Sequence, residues 1–174
     1  MPVLIAMCGL PFSGKSVLAE ALSRELRIRL LSYDSEIYLV HSHLAPAGAS
    51  AAAEYDFVQG IARREIGAIL ANRESLIYDD LLLERDDRRK LAAVAKAHLA
   101  HLVLVYLDTP LSVISERRAA NLRTRARTSI PEGKMRLDIS LLQPPEEAER
   151  AIYIGPGYVL PEVLARVSAR LTRS

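Results

Sequence analysis

The segment Gly9-Leu10-Pro11-Phe12-Ser13-Gly14-Lys15-Ser16 carries the spacing G-x-x-x-x-G-K-[ST]. Residues of these types in this order bind phosphate. The glycines let the backbone curl, so that successive N–H groups from Phe12 through Ser13 and Gly14 to Val17 converge on one concavity. Lys15 is then placed to reach the β- and γ-phosphates of a nucleoside triphosphate, and Ser16 to offer its hydroxyl to Mg²⁺. The expected ligand is Mg-ATP; no N-K-x-D guanine motif occurs, though the sequence itself does not choose between ATP and GTP.

Three further groups bear on where the γ-phosphate goes. Asp34 follows a short apolar run, where a carboxylate could accept the proton of a hydroxyl nucleophile or could cap the next helix. Asp79 and Asp80 end a second such run, and a carboxylate there can hold Mg²⁺ directly or through water. Spacing does not choose between them. The stretch Arg117–Arg127 holds five arginines in eleven residues (117, 118, 123, 125 and 127) and no acid. Such a segment can close over a nucleotide as a lid and neutralise charge on the transferred group, or form a solvated helix face.

Other residues read more plainly. His41 and His43 are without a nearby carboxylate in the sequence and read as loop surface. His98 and His101 fall near a helix end, where a cation suits the dipole. Tyr38, Tyr55 and Phe57 are core residues or the wall of an acceptor pocket. Cys8, the single cysteine, excludes an internal disulfide and reads as a small buried thiol.

These groups need positioning elements. Val3–Cys8 reads as a buried strand ending at Gly9, and Ser16–Leu26 as a helix with apolar residues at 17, 18, 21, 22 and 26. Strands are also expected at Leu30–Tyr33, Ser75–Tyr78, Leu102–Leu107 and Ala151–Ile154. Helices fall near 55–72, 85–100, 111–124 and 160–172. Ala45–Ala53, made only of Ala, Gly, Pro and Ser, reads as a mobile loop, and Pro131-Glu132-Gly133 as a break after the arginines. Strand and helix in alternation imply an α/β fold, a parallel sheet with helices on both faces, and a site at the C-terminal strand ends.

With these residues in place, the chain resembles the small P-loop kinases of the adenylate-kinase-like group, an AAA-type P-loop kinase-like domain. It looks most similar to the branch of polynucleotide 5′-hydroxyl kinase domains, zeta toxins and chloramphenicol phosphotransferase. The likeness runs from Val3 to Leu171 through Gly9–Ser16, Asp34, Asp79 or Asp80, Tyr106–Pro110, Arg117–Arg127 and Ile152–Gly157. It implies a three-layer P-loop NTPase fold with strand order 2-3-1-4-5 and a lid over approximately 117–136. It also implies Asp34 as general base, and Arg117 or Arg118 against the adenine with the loop at Gly155 on its other side. Arg123, Arg125 or Arg127 would act on the phosphates. Ile37 stands where the family often has an acceptor-side Arg, and Leu81–Leu83 where polynucleotide kinases tend to have Thr-Asn. Both departures favour a small, less charged acceptor over nucleic acid.

The whole chain fits this reading. Its 174 residues, 50% hydrophobic, suit one domain over 1–174. A net charge of +2 points to neither nucleic acid nor membrane. The N-terminal apolar run ends too early for a membrane span and has no signal-peptide charge pattern, so a cytoplasmic protein is expected. The leading expectation is an ATP-dependent kinase acting on a small-molecule hydroxyl. The alternatives are a 5′-hydroxyl polynucleotide kinase and a non-catalytic ATP-binding regulatory module.

Overall fold

A computed structural model of the protein describes residues 1–125 and 128–171. Five parallel strands, β1 (Val3–Cys8), β2 (Arg29–Ser32), β3 (Leu76–Asp79), β4 (His101–Leu107) and β5 (Ile152–Ile154), form one sheet in the order β2-β3-β1-β4-β5. The helices are α1 (Lys15–Leu26), the single turn α2 (Leu39–His41), α3 (Ala51–Ala71), α4 (Arg85–Ala97), α5 (Leu111–Thr124), α6 (Glu132–Leu141) and α7 (Leu160–Leu171).

The unbroken apolar run of β1 has its physical reason in the layers. Leu4, Ala6 and Cys8 pack with Ile61, Ile66 and Leu70 of α3 and Leu91 of α4. Val3, Ile5 and Met7 pack with Leu18 and Leu22 of α1 and Val163 and Val167 of α7. A strand buried on both faces cannot alternate with polar residues. β1 also pairs with both β3 and β4, so the turn after Cys8 leaves the centre of the sheet. That central exit, between two neighbours on which the strand order diverges, is where open α/β sheets bind ligands.

Two expectations are corrected. Ala45–Ala53 is not all loop: Ser50 caps α3 by accepting from the Ala53 N–H at 3.2 Å, and the alanines that follow are strong helix formers. Pro131-Glu132-Gly133 does not break the chain but starts α6, with Pro131 just before a first turn that carries Glu132. Between α5 and α6, Arg125 ends α5 in the left-handed region, its N–H donating to Asn121 O at 2.7 Å. The expected lid therefore contains the start of a helix. A third apolar cluster joins Met135 of that helix and Ile114 to Leu10 and Leu83, with Phe12 packed beside it.

Candidate functional site

The turn after β1 is shaped by its glycines. A Cβ on Gly9, at φ 137°, would sit 2.9 Å from the Leu107 carbonyl oxygen, so only glycine passes between the ends of β1 and β4. Phe12 (φ 62°) and Gly14 (φ 105°) also hold positive φ, the curl that turns backbone N–H groups inward. Gly14 caps α1, and the first helical bond runs from Leu18 N–H to Gly14 O at 3.1 Å. The N–H groups of Lys15, Ser16 and Val17 therefore have no partner within the helix. Ser13 Oγ is buried and, among the described residues, unpartnered. A ring of free donors with one orphaned hydroxyl fits a phosphate group.

Lys15 lies across this cradle, its Nζ donating to Leu10 O at 2.9 Å. Burial pulls its pKa below the ordinary value, opposed by the carboxylates of Asp79 and Asp80. These two consecutive acids part company. Asp79 accepts a hydrogen bond from the Ser16 hydroxyl; burial raises its pKa, while Ser16 and Lys15 lower it. Asp80 turns into the core. It accepts from Gln59 Nε2 at 2.7 Å, Tyr78 Oη at 3.1 Å and the Leu81 N–H at 2.7 Å. Burial still pushes its pKa up to about 6. Of the two metal candidates, Asp79 thus stands beside Ser16, and Asp80 is consumed as a structural acceptor. An Asp carboxylate and a Ser hydroxyl are oxygen ligands of the kind Mg²⁺ takes.

Asp34 lies in a turn of π-helix, Tyr33–Tyr38, directly after β2. The capping role falls to Ser32, whose Oγ accepts from the Ser35 N–H and whose N–H donates to Glu36 Oε1 at 3.0 Å. Asp34 is left exposed, and its charge is felt by Lys15, Asp79 and Asp80 across the cleft. Beside it, the Tyr33 ring sits 6.1 Å from Tyr38 and 6.0 Å from Tyr55. Tyr33 Oη is buried without a partner among the described residues, and burial raises its pKa, so it remains a hydroxyl. Phe57 instead packs against the first core cluster. Ile37 is buried, and Leu82 and Leu83 are core residues. These apolar side chains serve packing.

The arginines divide. Arg117 Nη1 donates to Phe12 O at 3.0 Å and Ser13 O at 2.7 Å. Arg118 turns the other way, to Glu132 at 2.5 Å and Ile130 O at 3.3 Å. Arg123 and Arg125 are exposed at the end of α5, and Arg127 lies outside the described residues. Gly155 opens the loop after β5, where a cavity of about 240 Å³ is lined by Gly155, Tyr158, Val159 and Arg166. Burial raises the pKa of the Tyr158 hydroxyl in this loop, and the Arg117 charge lowers it. His41, contrary to the sequence reading, does have a carboxylate: Glu65 of α3 lies 3.2 Å from its Nε2.

Gln59 and Arg88 were not expected to matter. Gln59 was legible as a lone polar residue on the apolar face of α3. Arg88 was not, because its partners, Glu149 at 2.6 and 3.0 Å and the carbonyls of Leu82 and Leu83, are distant or backbone. Cys8 donates to Leu82 O at 3.2 Å, and burial pushes its thiol up to about 12, which makes it inert.

A family model described as an AAA domain matches residues 4–145, and the chain belongs to that family. The human Protein KTI12 homolog is 31% identical over 112 residues, which are 62% of this chain and 30% of that protein. The chain therefore spans under a third of the curated relative's length. A gluconokinase from Sinorhizobium meliloti 1021 superposes with a TM-score of 0.68 at 22% identity, covering 99% of this chain and 93% of that one. The Mycobacterium tuberculosis APS kinase CysC, solved in complex with AMPPNP and APS, gives 0.67 at 21% identity, over 98% and 97%. At such identities the likeness is one of fold, that of a small P-loop kinase-like domain. No described helix is long and apolar enough to cross a membrane.

Proposed function

Starting from a chain of the AAA domain family with a P-loop kinase-like fold, we propose that it is an ATP-dependent phosphotransferase. It moves the γ-phosphoryl group of Mg-ATP to a hydroxyl of a small-molecule acceptor, within one domain spanning 1–174. The observation that carries this reading is the phosphate cradle at Gly9–Ser16 with Lys15 across it and Asp79 beside Ser16, together with an exposed acid, Asp34, after β2 whose charge acts on both Lys15 and Asp79.

The roles follow from placement. The backbone N–H groups of Phe12 and of Gly14 to Val17, with Ser13 Oγ and Lys15, hold the phosphates. Ser16 and Asp79 hold Mg²⁺, which when bound neutralises charge on the β- and γ-oxygens. The acceptor oxygen bonds to Pγ as the bond from Pγ to the bridging oxygen breaks; ADP leaves, and the hydroxyl proton passes to Asp34. Arg123, Arg125 and Arg127 serve as lid cations. The base lies toward the Gly155–Tyr158 loop. The acceptor lies against Tyr33 and Tyr38, and the apolar Ile37 and Leu81–Leu83 favour a small, less charged acceptor over a polynucleotide. An APS kinase of the same fold crystallised with AMPPNP supports a nucleotide in the cradle.

A non-catalytic ATP-binding regulatory module is the second reading. It is favoured by the human relative, which carries no kinase name and is much longer than this chain. The test is label transfer from γ-labelled ATP to a panel of sugars, nucleosides and hydroxylated antibiotics, beside a 5′-hydroxyl oligonucleotide. Labelled small-molecule product, lost in Lys15→Met, supports the proposal. Product only with the oligonucleotide, bound with a steep salt dependence, selects the polynucleotide kinase. Full biological activity in a Lys15→Met variant that turns over no ATP selects the regulatory module.

A further inference from the structure

We infer that Arg117 is a positioning residue for the phosphate cradle, acting through the loop backbone rather than by packing on the nucleotide base. This rests on the reading of Gly9–Ser16 as a phosphate site and goes beyond it. One nitrogen, Arg117 Nη1, is shared between Phe12 O at 3.0 Å and Ser13 O at 2.7 Å. Thr109 Oγ1, buried, adds a second bond to the same Ser13 O at 3.1 Å. A trans peptide points its C=O and N–H in opposite directions. Fixing the Ser13 carbonyl from outside therefore turns the Gly14 N–H away from Arg117, toward the concavity, while the bond to the Phe12 carbonyl steadies the peptide whose Ser13 N–H donates to Leu10 O at 3.3 Å. Donation from a guanidinium also polarises the Ser13–Gly14 peptide, which strengthens the Gly14 N–H as a donor to an anion.

The loop needs such support. Phe12 stands at φ 62°, a conformation that costs a bulky residue energy, and Gly14 at φ 105° is free to swing. A Cβ on Gly14 would come within 3.5 Å of Arg117 Nη1, so the guanidinium lies directly against the turn. The anchor is also selective, since the neighbouring Arg118 is held by Glu132 and Ile130 on the far side of α5. Arg117 thus ties α5, which leads into the arginine segment, to the peptides that bind phosphate.

The two roles separate by ligand. Mg²⁺-tripolyphosphate carries the phosphates without a base, and adenosine the base without phosphates. In calorimetric titrations of the folded chain, Arg117→Met is expected to weaken Mg²⁺-tripolyphosphate and Mg-ATP alike, by about tenfold or more, the loss of a charge-assisted hydrogen bond. Adenosine binding should not change. Thr109→Val should weaken both phosphate ligands in the same direction by a smaller factor, and Arg117→Lys should recover part of the loss. If Arg117→Met weakens ATP but leaves tripolyphosphate untouched, the residue serves the base and the inference is overturned. Unchanged affinity for both overturns it as well. Should Arg117→Met not fold, Thr109→Val and Arg117→Lys decide by the same comparison. Failure of the wild-type chain to bind either phosphate ligand would instead refute the phosphate site itself.

Discussion

Asp79 and Asp80 are adjacent in sequence, yet the first accepts from the Ser16 hydroxyl while the second accepts from Gln59, Tyr78 and the Leu81 N–H in the core. Asp79 is the last residue of β3 and Asp80 the first beyond it, and Asp80 falls on the side of Tyr78, two residues back, whose hydroxyl it meets at 3.1 Å, while Asp79 falls on the other. Only one of them is then free for a cation. Asp79→Asn is expected to weaken Mg²⁺-dependent ATP binding by about tenfold or more while metal-free ATP binding changes little. Titration of the nucleotide with and without Mg²⁺ reads this, and equal loss in both would remove Asp79 from the metal.

Asp80 should show itself in the pH dependence of stability. Its ordinary pKa of 3.8 is raised to about 6 in the fold by burial. The folded chain therefore binds a proton more readily than the unfolded one between these values, and stability falls as pH rises from about 4 to about 6. The penalty is complete above the folded pKa and absent below the unfolded one, with a size of roughly 3 kcal/mol. Urea unfolding across pH 3.5–7 should show this slope in the wild type, relative to an Asp80→Asn variant that cannot titrate. Parallel curves for the two proteins would mean that Asp80 is not raised.

Asp34 stands exposed after β2, with Ser32 taking the cap that Asp34 could have served. Asp34→Asn should slow phosphoryl transfer by about 10²-fold or more, with ATP affinity nearly unchanged. Single-turnover kinetics beside nucleotide titration separates the two quantities. A collapse of ATP affinity would instead make Asp34 a contact of the metal or of the loop.

Much of this arrangement was readable from residues that act through local rules. β1, with its two apolar faces, and the G-x-x-x-x-G-K-S turn need no distant partner to be recognised, and the bounds of α5 follow from its periodicity. The choice between Asp79 and Asp80 was not readable, because it depends on which face of β3 meets α1, a tertiary fact. α6 was missed because its polar start after Pro131 imitates a loop, and only Met135 and Asp138 are buried on it. Arg117 and Arg118 look equivalent in sequence. The helical rotation of 100° between neighbours sends one to the phosphate turn and the other to Glu132.

Arg88 and Glu149 supply the last prediction. Arg88 is almost fully buried, and Glu149 meets it with two hydrogen bonds, at 2.6 and 3.0 Å, from 61 residues away. The remaining Arg88 donor, Nη1, satisfies the carbonyls of Leu82 and Leu83 at 3.1 Å each. Cutting Glu149 back leaves a guanidinium in the interior with no counter-charge, which costs more than the pair itself contributes. Glu149→Ala should destabilise the chain by about 2–3 kcal/mol, at the low end for buried pairs because the carboxylate keeps some contact with water. Arg88→Met combined with Glu149→Ala should recover part of that loss, since no charge is then stranded. Chemical denaturation of the single and double variants reads the coupling. Strict additivity would show that the two side chains do not depend on one another.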